Sequence, residues 1–396
     1  MKVIGMISGT SYDAIEAVAV EFELRERVVH ARLLDHVSVP YDEALRERVA
    51  AVLPPHSTTI DEVCRLDTEI GQAFAEVASA LAEVNFAGAA DVVCSHGQTV
   101  FHWVHDGHAL GTLQIGQGAW IAEATGATVV ADVRARDVAA GGHGAPLASL
   151  VDVLILGRHP ATVRGALNMG GISNITVVGP EREPLAFDIG PANALMDAAI
   201  GWLSDGLEVY DRDGASAARG HVDEVLLASL LEEPYYRAAA PKSTGKELFH
   251  LDYLRAHLAG RVLSREDLLA TLAELTVRTV ADAVNDQGVR ELFVSGGGTR
   301  NPVVMDGLRR RLGSSVAVSL IDDLGVPEAA KEALLFALIG HLSVLGLESS
   351  IASCTGARHA AVLGAITPGR QPMVSLDPSA APTALVVTSS LAGGAR

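Results

Sequence analysis

The sequence predicts an α/β fold in two related halves, and three observations carry that prediction. Short apolar strands alternate with amphipathic helices along the chain. Two stretches, one near Val3 and one near Gly165, begin alike, with apolar strands joined by glycine turns. At 396 residues the chain is too long for one comfortable core, and 49% hydrophobic content broken by turn-rich segments reads as a soluble globular protein of two domains. Together these give a duplicated core with a cleft between its halves.

The elements follow in order. Val3 to Ser8 and Ala14 to Phe22 are rich in apolar and β-branched residues and read as a hairpin around a Gly/Ser/Thr/Asp turn. Val63, Leu66, Ile70, Phe74, Val77 and Leu81 recur every three or four residues, so Asp61 to Val84 reads as an amphipathic helix with acids in its first turn. "DVVCSHGQT" is a short buried strand ending in a polar loop. "TVVADVRARDVAAGGHGAPL" repeats that form, with Arg134, Arg136 and Asp137 in its loop and glycines at Gly141, Gly142 and Gly144. The second half opens on "GALNMGGISNITVVGPEREPLAFDIGPANALMDAAIGW", two or three strands leading into a helix from about Ala192. Ser264, with Asp267 three residues on, caps a helix carrying Leu268, Leu272, Leu275 and Val280. "ELFVSGGGTRNPVVMDGLRRRL" is strand, glycine turn, helix. Beyond Gly369 the tail is rich in Pro, Ala and Ser and is expected to be poorly ordered.

Composition removes several function classes. The formal net charge of −18 is spread along the chain with no basic run, so nucleic acid and anionic membrane are not expected partners. Cys64, Cys94 and Cys354 lie far apart without a C-x-x-C pair, which argues against a disulfide framework or a cysteine zinc site and fits a reducing compartment. The opening "MKVIGMISGTSYD" is too short in apolar residues for a signal peptide, and no run is long enough to span a bilayer, so a cytoplasmic location is expected.

Three turns leave backbone open to a ligand: Ser8 to Asp13, Gly170 to Asn174 and Gly296 to Gly298, each after a strand. Glycines and small hydroxyl residues let main-chain N–H groups converge on an anion without Cβ clashes, so nucleotide binding is one reading. Each turn taken alone reads first as a tight connection. No Walker A, dinucleotide-binding or protein-kinase signature is present. Asp188 in "LAFDIGPAN" ends a strand before a glycine turn and suits a base in phosphoryl transfer, its competing role being a helix cap. Asp13 suits Mg²⁺ held through water, or the amides of its own turn. Glu16, Asp211 and Asp213 are further acids of interest. Glu332 sits on an otherwise apolar helix face, which needs either a partner or a place at the edge of that face. Ser11 and Ser173 miss the G-x-S-x-G elbow, and His102, His105 and His108 in "FHWVHDGH" read as a solvated loop before a metal site.

Taken together, "GMISGTSYDAIE", "SHGQTVFH", "LQIGQGAWIAEATG", "DVRARDVAAGGHGAPL", "NMGGISNIT", "FDIGPANALMD", "YDRDGASAARG", "PKSTGKELF", "SGGGTRNP" and "TGARHAAVLGAITPG" resemble one family in order from Gly5 to Gly369. It is the anhydro-N-acetylmuramic acid kinases of the sugar-kinase, Hsp70 and actin superfamily. The resemblance implies a two-domain actin-like ATPase (ribonuclease H-like) fold with an interdomain active-site cleft. It sets domain I at residues 1–140 plus about 348–369, and domain II at 141–347. It implies ATP and Mg²⁺, a small anhydro amino sugar as substrate, and a homodimer. By that analogy Gly9, Thr10, Ser11, Tyr12, Asp13, Ala14, Ile15 and Glu16 form the first phosphate loop. Gly170, Gly171, Gly296, Gly297, Gly298 and Asn301 lie by the nucleotide, and Asp13 approaches the metal through water. Asp188 is the base that activates water for ring opening, and Gln98, Thr99, Arg134 and Glu332 line the sugar pocket.

The chain departs from the family in carrying Ala14 and Glu16 where Gly and Asp are usual, and His143 where Gln is usual. Ala14 restricts the backbone and Glu16 lengthens the acid, which points to a shifted phosphate loop or altered nucleotide affinity. Competing readings are a kinase for another anhydro sugar such as levoglucosan, a silent sugar-binding actin-like protein, and a glycosidase using Asp188 with Glu332.

Overall fold

The first hairpin forms as β1 (Lys2–Ser8) and β2 (Ala14–Arg25), paired antiparallel from Lys2 opposite Glu21 to Ser8 opposite Ile15. The computed structural model describes residues 1–158, 160–370 and 383–389. After the hairpin come β3 (Val28–Pro40), β4 (Val92–His105), β5 (His108–Ile115) and β6 (Thr128–Ala131). Next are β7 (Arg164–Met169), β8 (Ile172–Val178), β9 (Leu185–Pro191), β10 (Glu291–Ser295) and β11 (Ala317–Leu320). Last come β12 (Ala365–Thr367) and β13 (Ala384–Ser389).

Two sheets result. One runs β12-β6-β4-β1-β2-β3-β13 with β5 hydrogen-bonded to β4, and the other runs β11-β10-β7-β8-β9. Five strands of the first, β6-β4-β1-β2-β3, repeat the second in order and direction. In each, three antiparallel strands are followed by two parallel ones, β4 on β1 with β6 on β4, and β10 on β7 with β11 on β10. The duplicated core expected from the sequence is therefore present as the actin-like ATPase topology.

The chain divides into two compact units, residues 1–157 with those from Leu324 onward, and Arg158–Asp323. These boundaries differ from the expected 140/141 and 347/348. Helices Ser149–Leu156 and Lys331–Val344 belong with the first sheet. The second of these is buried from Ala333 to Ser343, as a helix apolar on nearly every side beyond its first turn must be. It approaches β1 so closely that a methyl at Gly5 would lie 2.2 Å from the Ala333 carbonyl oxygen. Lys331 Nζ meets Asp152 Oδ1 of the neighbouring helix at 2.6 Å.

The helix expected over Asp61 to Val84 spans Ile60–Phe86 and buries Leu66, Ile70, Phe74, Val77 and Leu81 in the first core. In the second core, helix Arg265–Asp286 starts at Ser264, whose hydroxyl accepts from the Asp267 amide. It packs Leu268, Leu272, Leu275 and Val280 against Leu167, Val177 and Ile200.

Two local expectations are overturned. The polar loop after "DVVCSHGQT" is a β-hairpin, because β4 runs on to His105 and turns through Asp106 and Gly107, both at positive φ, into β5. An Asp-Gly pair supplies the two left-handed residues that such a tight turn needs. The tail is not wholly irregular: β13 lies parallel to β3, Ala384 opposite Val28, while residues 371–382 and 390–396 fall outside the described residues. Among the described residues no helix is long and apolar enough to cross a membrane.

Candidate active site

In the second unit, three of the expected segments meet. Gly170 and Gly171 form the two-residue turn between β7 and β8, and their carbonyl oxygens accept from the amides of Asn193, Ala192 and Ala194. Asn193 Nδ2 also donates to Gly170 O at 2.9 Å. The turn after β10 lies against the end of β7. A methyl at Gly296, whose φ is 92°, would stand 2.7 Å from the Met169 carbonyl, and one at Gly298 would stand 2.7 Å from Met169 Cβ. Gly297 faces Asn193. Only glycine allows two turns to approach backbone to backbone in this way. Asn301 is nearly buried and caps helix Pro302–Leu312, its Oδ1 accepting from the Val303 and Val304 amides at 3.0 and 3.4 Å. Beside it a cavity is lined by Asp213, Thr299, Arg300, Met305 and Arg309. Asp211 serves the fold, accepting from the Ser216 and Ala217 amides.

Asp188 lies in the middle of β9 and not at its end as expected, because the strand runs on through Gly190 to Pro191; it is half-buried, opposite Asn174. One carboxylate oxygen accepts from Ser243 Oγ at 2.9 Å and from the Thr244 amide at 3.0 Å. Burial raises its pKa above the usual carboxylate value, the two hydrogen bonds pull it back, and the charge of Glu247 pushes it up again. The strand is held from behind as well: the Asp188 amide donates to Lys242 O, and its carbonyl accepts from Tyr235 Oη at 2.7 Å. Lys242 ties this corner together, donating to the Tyr235 and Tyr236 carbonyls. Lys246 reaches the glycine turn, its Cε 3.1 Å from where a Gly171 methyl would stand. Asp197 nearby is pushed up to about 6 by burial, with Lys246 opposing.

In the first unit, the turn after β1 is closed by Tyr12 N donating to Gly9 O at 3.1 Å, and Ser11 Oγ donates to Asp13 Oδ1 at 2.6 Å. Thr10, Ser11 and Asp13 are exposed. Ala14, Ile15 and Glu16, expected in the phosphate loop, are instead the first residues of β2. Ile15 is in the core, and Glu16 Oε2 pairs with His36 Nε2 at 2.8 Å. Gln98 is buried on β4 and fastens the turn. It accepts from Ser8 Oγ at 2.6 Å, and both its amide hydrogens are taken, by Gly9 O and Thr99 O. Thr99 Oγ1 accepts from Gln114.

Arg134 is anchored at both ends of its guanidinium. Nε donates to His96 Nε2 at 2.7 Å and one Nη donates to Gly144 O at 2.6 Å. Burial lowers its pKa to about 10, against the charges of Glu332 and Asp137, so it stays protonated. Glu332 is exposed in the first turn of its helix, where the helix dipole favours it. The expected burial cost therefore does not arise. Asp137 is fully buried and spends its carboxylate on the Gly144 amide and Thr355 Oγ1. His143 is exposed in the same glycine-rich turn. His102, His105 and His108 lie along the β4–β5 hairpin, and among the described residues no three His, Cys, Asp or Glu side chains gather to hold a metal.

Sequence reasoning missed His96, Asn193 and the 242–246 loop as parts of these constellations. The loop's signal was present in "PKSTGKELF", a dense run of donors after a proline. His96 shows no sequence signal of its own beyond the stretch "SHGQT".

The model of the anhydro-N-acetylmuramic acid kinase family matches residues 1–369. The chain belongs to that family. Relatives named anhydro-N-acetylmuramic acid kinase are similar almost end to end. The Streptomyces coelicolor protein is 55% identical over 96% of this chain and 97% of its own. The Rhodococcus erythropolis protein is 53% identical over 97% and 98%. The Streptomyces avermitilis protein is 55% identical over 93% and 95%. Among solved structures, a ROK family glucokinase from Streptomyces griseus in complex with glucose and AMPPNP shares 14% identity over 86% of this chain and 99% of its own, with a TM-score of 0.36. Anhydro-N-acetylmuramic acid kinase membership brings kinase chemistry, with ATP as phosphoryl donor.

Proposed function

We propose that this chain opens the 1,6-anhydro ring of 1,6-anhydro-N-acetylmuramic acid and phosphorylates O6, with Asp188 as the base. The products are N-acetylmuramic acid 6-phosphate and ADP, a step of peptidoglycan recycling. The observation that carries the reading is the Asp188 carboxylate, held in the middle of β9 by Ser243 and Thr244 with its pKa raised by burial. A carboxylate oriented by two donors and of raised basicity suits removal of a proton from water. That water forms a bond to C1, the C1–O6 bond breaks, O6 takes the γ-phosphoryl group, and the water proton ends on Asp188.

The glycine turns at Gly170, Gly171 and Gly296 to Gly298, with Asn301 beside them, suit the nucleotide. Gly9 to Asp13 suit its phosphates, since small residues keep amides accessible. Arg134 and Glu332 offer the sugar a cation and a carboxylate, and Thr99 a hydroxyl. Gln98, with its amide hydrogens spent, supports the turn in this reading. Mg²⁺ fits Asp13, an exposed hard-oxygen donor with room for water, because Mg²⁺ keeps most of its hydration and takes few carboxylates. When bound it neutralises phosphate charge. A cytoplasmic homodimer completes the reading, its subunit count open to analytical ultracentrifugation.

The test is ADP release from Mg·ATP with 1,6-anhydro-N-acetylmuramic acid beside levoglucosan, for the wild type and Asp188→Asn. Turnover of the muramic sugar that vanishes in the variant is expected. Turnover with levoglucosan alone would move the substrate, and turnover of sugar without ATP would make the protein a glycosidase.

A further inference from the structure

We propose that His96 is a positioning residue for the sugar-binding Arg134, acting as a hydrogen-bond acceptor that fixes the guanidinium plane. The proposal rests on the reading of Arg134 as a sugar contact and adds what holds it.

Arginine has donors only, so the 2.7 Å contact from Arg134 Nε requires a lone pair on His96 Nε2. The ring proton must then sit on Nδ1, which donates to Gly97 O at 3.0 Å. Each hydrogen bond demands the tautomer that the other supplies. The imidazole is buried at 3% exposure, and the Phe336 ring lies 4.7 Å away, centroid to centroid, on the helix that begins with Lys331 and Glu332. Burial first, then the Arg134 charge, lower the imidazole pKa to about 3, so the acceptor persists through the working pH range. With Gly144 O taking one Nη, the remaining guanidinium donors are left in a fixed direction. A guanidinium held through Nε and one Nη loses little freedom when it meets a sugar oxygen, which makes binding stronger without a new contact to the ligand.

The experiment compares His96→Leu, His96→Gln and His96→Asn with Arg134→Gln and the His96→Leu/Arg134→Gln double variant, in steady-state kinetics with Mg·ATP and the anhydro sugar. Thermal melts report the fold. His96→Leu removes the acceptor and is expected to raise KM for the sugar about tenfold or more with KM for ATP unchanged. His96→Gln, whose Oε1 reaches the position of Nε2, is expected to restore most of the loss, whereas the shorter His96→Asn is not. The double variant should be no worse than Arg134→Gln alone. If His96→Leu does not fold, the Gln and Asn variants carry the comparison. Equal KM for the sugar in Gln and Asn, or losses that add in the double variant, would overturn the positioning role. An unchanged KM for the sugar in Arg134→Gln would instead overturn the assignment of Arg134, and the proposal with it.

Discussion

The two units share a five-strand plan and use it for opposite electrostatic ends. In the first, the plan presents a cation: Arg134, protonated and pinned between a neutral histidine and a carbonyl, beside a hydroxyl-rich turn braced by Gln98. In the second, it presents carboxylates raised by burial, Asp188 and Asp197, beside glycine turns pressed against each other. Strand order is common to both, so the divergence lies in a few side chains on or after the strands and in the loops that seat them. A fold of this kind fixes where strand ends fall and leaves their chemistry to a few side chains.

The sharpest way to break this contrast is Asp188→Asn, which removes the base but keeps its shape. Activity is expected to fall by about 10²- to 10⁴-fold with little change in melting temperature, and a variant within tenfold of the wild type would strip Asp188 of its role. Next comes a pair of glycines, one from each unit. A methyl at Gly5 would strike helix backbone at 2.2 Å, whereas one at Gly165 would meet the movable ends of Ile175 and Leu292 at 3.1 and 3.2 Å. Gly5→Ala should cost about 2–3 kcal/mol and Gly165→Ala about 1 kcal/mol or less in denaturant unfolding. Equal costs would mean that both halves pack their first strand alike.

Ser243→Ala tests how the second unit tunes its base. Losing a donor to the charged form moves the Asp188 pKa further up, so the acid limb of kcat/KM shifts to higher pH while the alkaline plateau is kept. An unmoved limb would point to another titrating group. The smallest effect is expected at Asp197. Its folded pKa of about 6 exceeds an ordinary value of about 4, so the folded state holds a proton that the unfolded state has released between those limits. Stability is therefore lost as pH rises from about 4 through 6, and Asp197→Asn should match the wild type below pH 4 and exceed it above 6 in melting temperature.

The sequence made the strands, the main helices and the glycine turns legible because each is a local pattern. Val63 to Leu81 repeat at helical spacing, and Ser264 with Asp267 announces a cap. What it hid depends on partners far along the chain. His96 and Arg134 are 38 residues apart, and Asp188 finds Ser243 55 residues on, so neither pairing leaves a periodicity. Family resemblance alone assigns Gln98 to the sugar pocket. Only its three bonds to Ser8, Gly9 and Thr99 show its amide group to be spent. The helix Lys331–Val344 was set in the wrong unit because its partners, Gly5 and Cys94, lie hundreds of residues earlier.

That helix has a consequence for how the molecule is made. The unit that leaves the ribosome first lacks the layer that covers β1 and β4 until residues beyond Leu324 have been synthesised, and β12 and β13 come later still. The second unit is one unbroken segment, Arg158–Asp323, and contains all of its own sheet. During synthesis the later half can therefore reach its native contacts before the earlier half, which waits with an uncovered apolar sheet face and depends on rapid completion of the chain to escape aggregation.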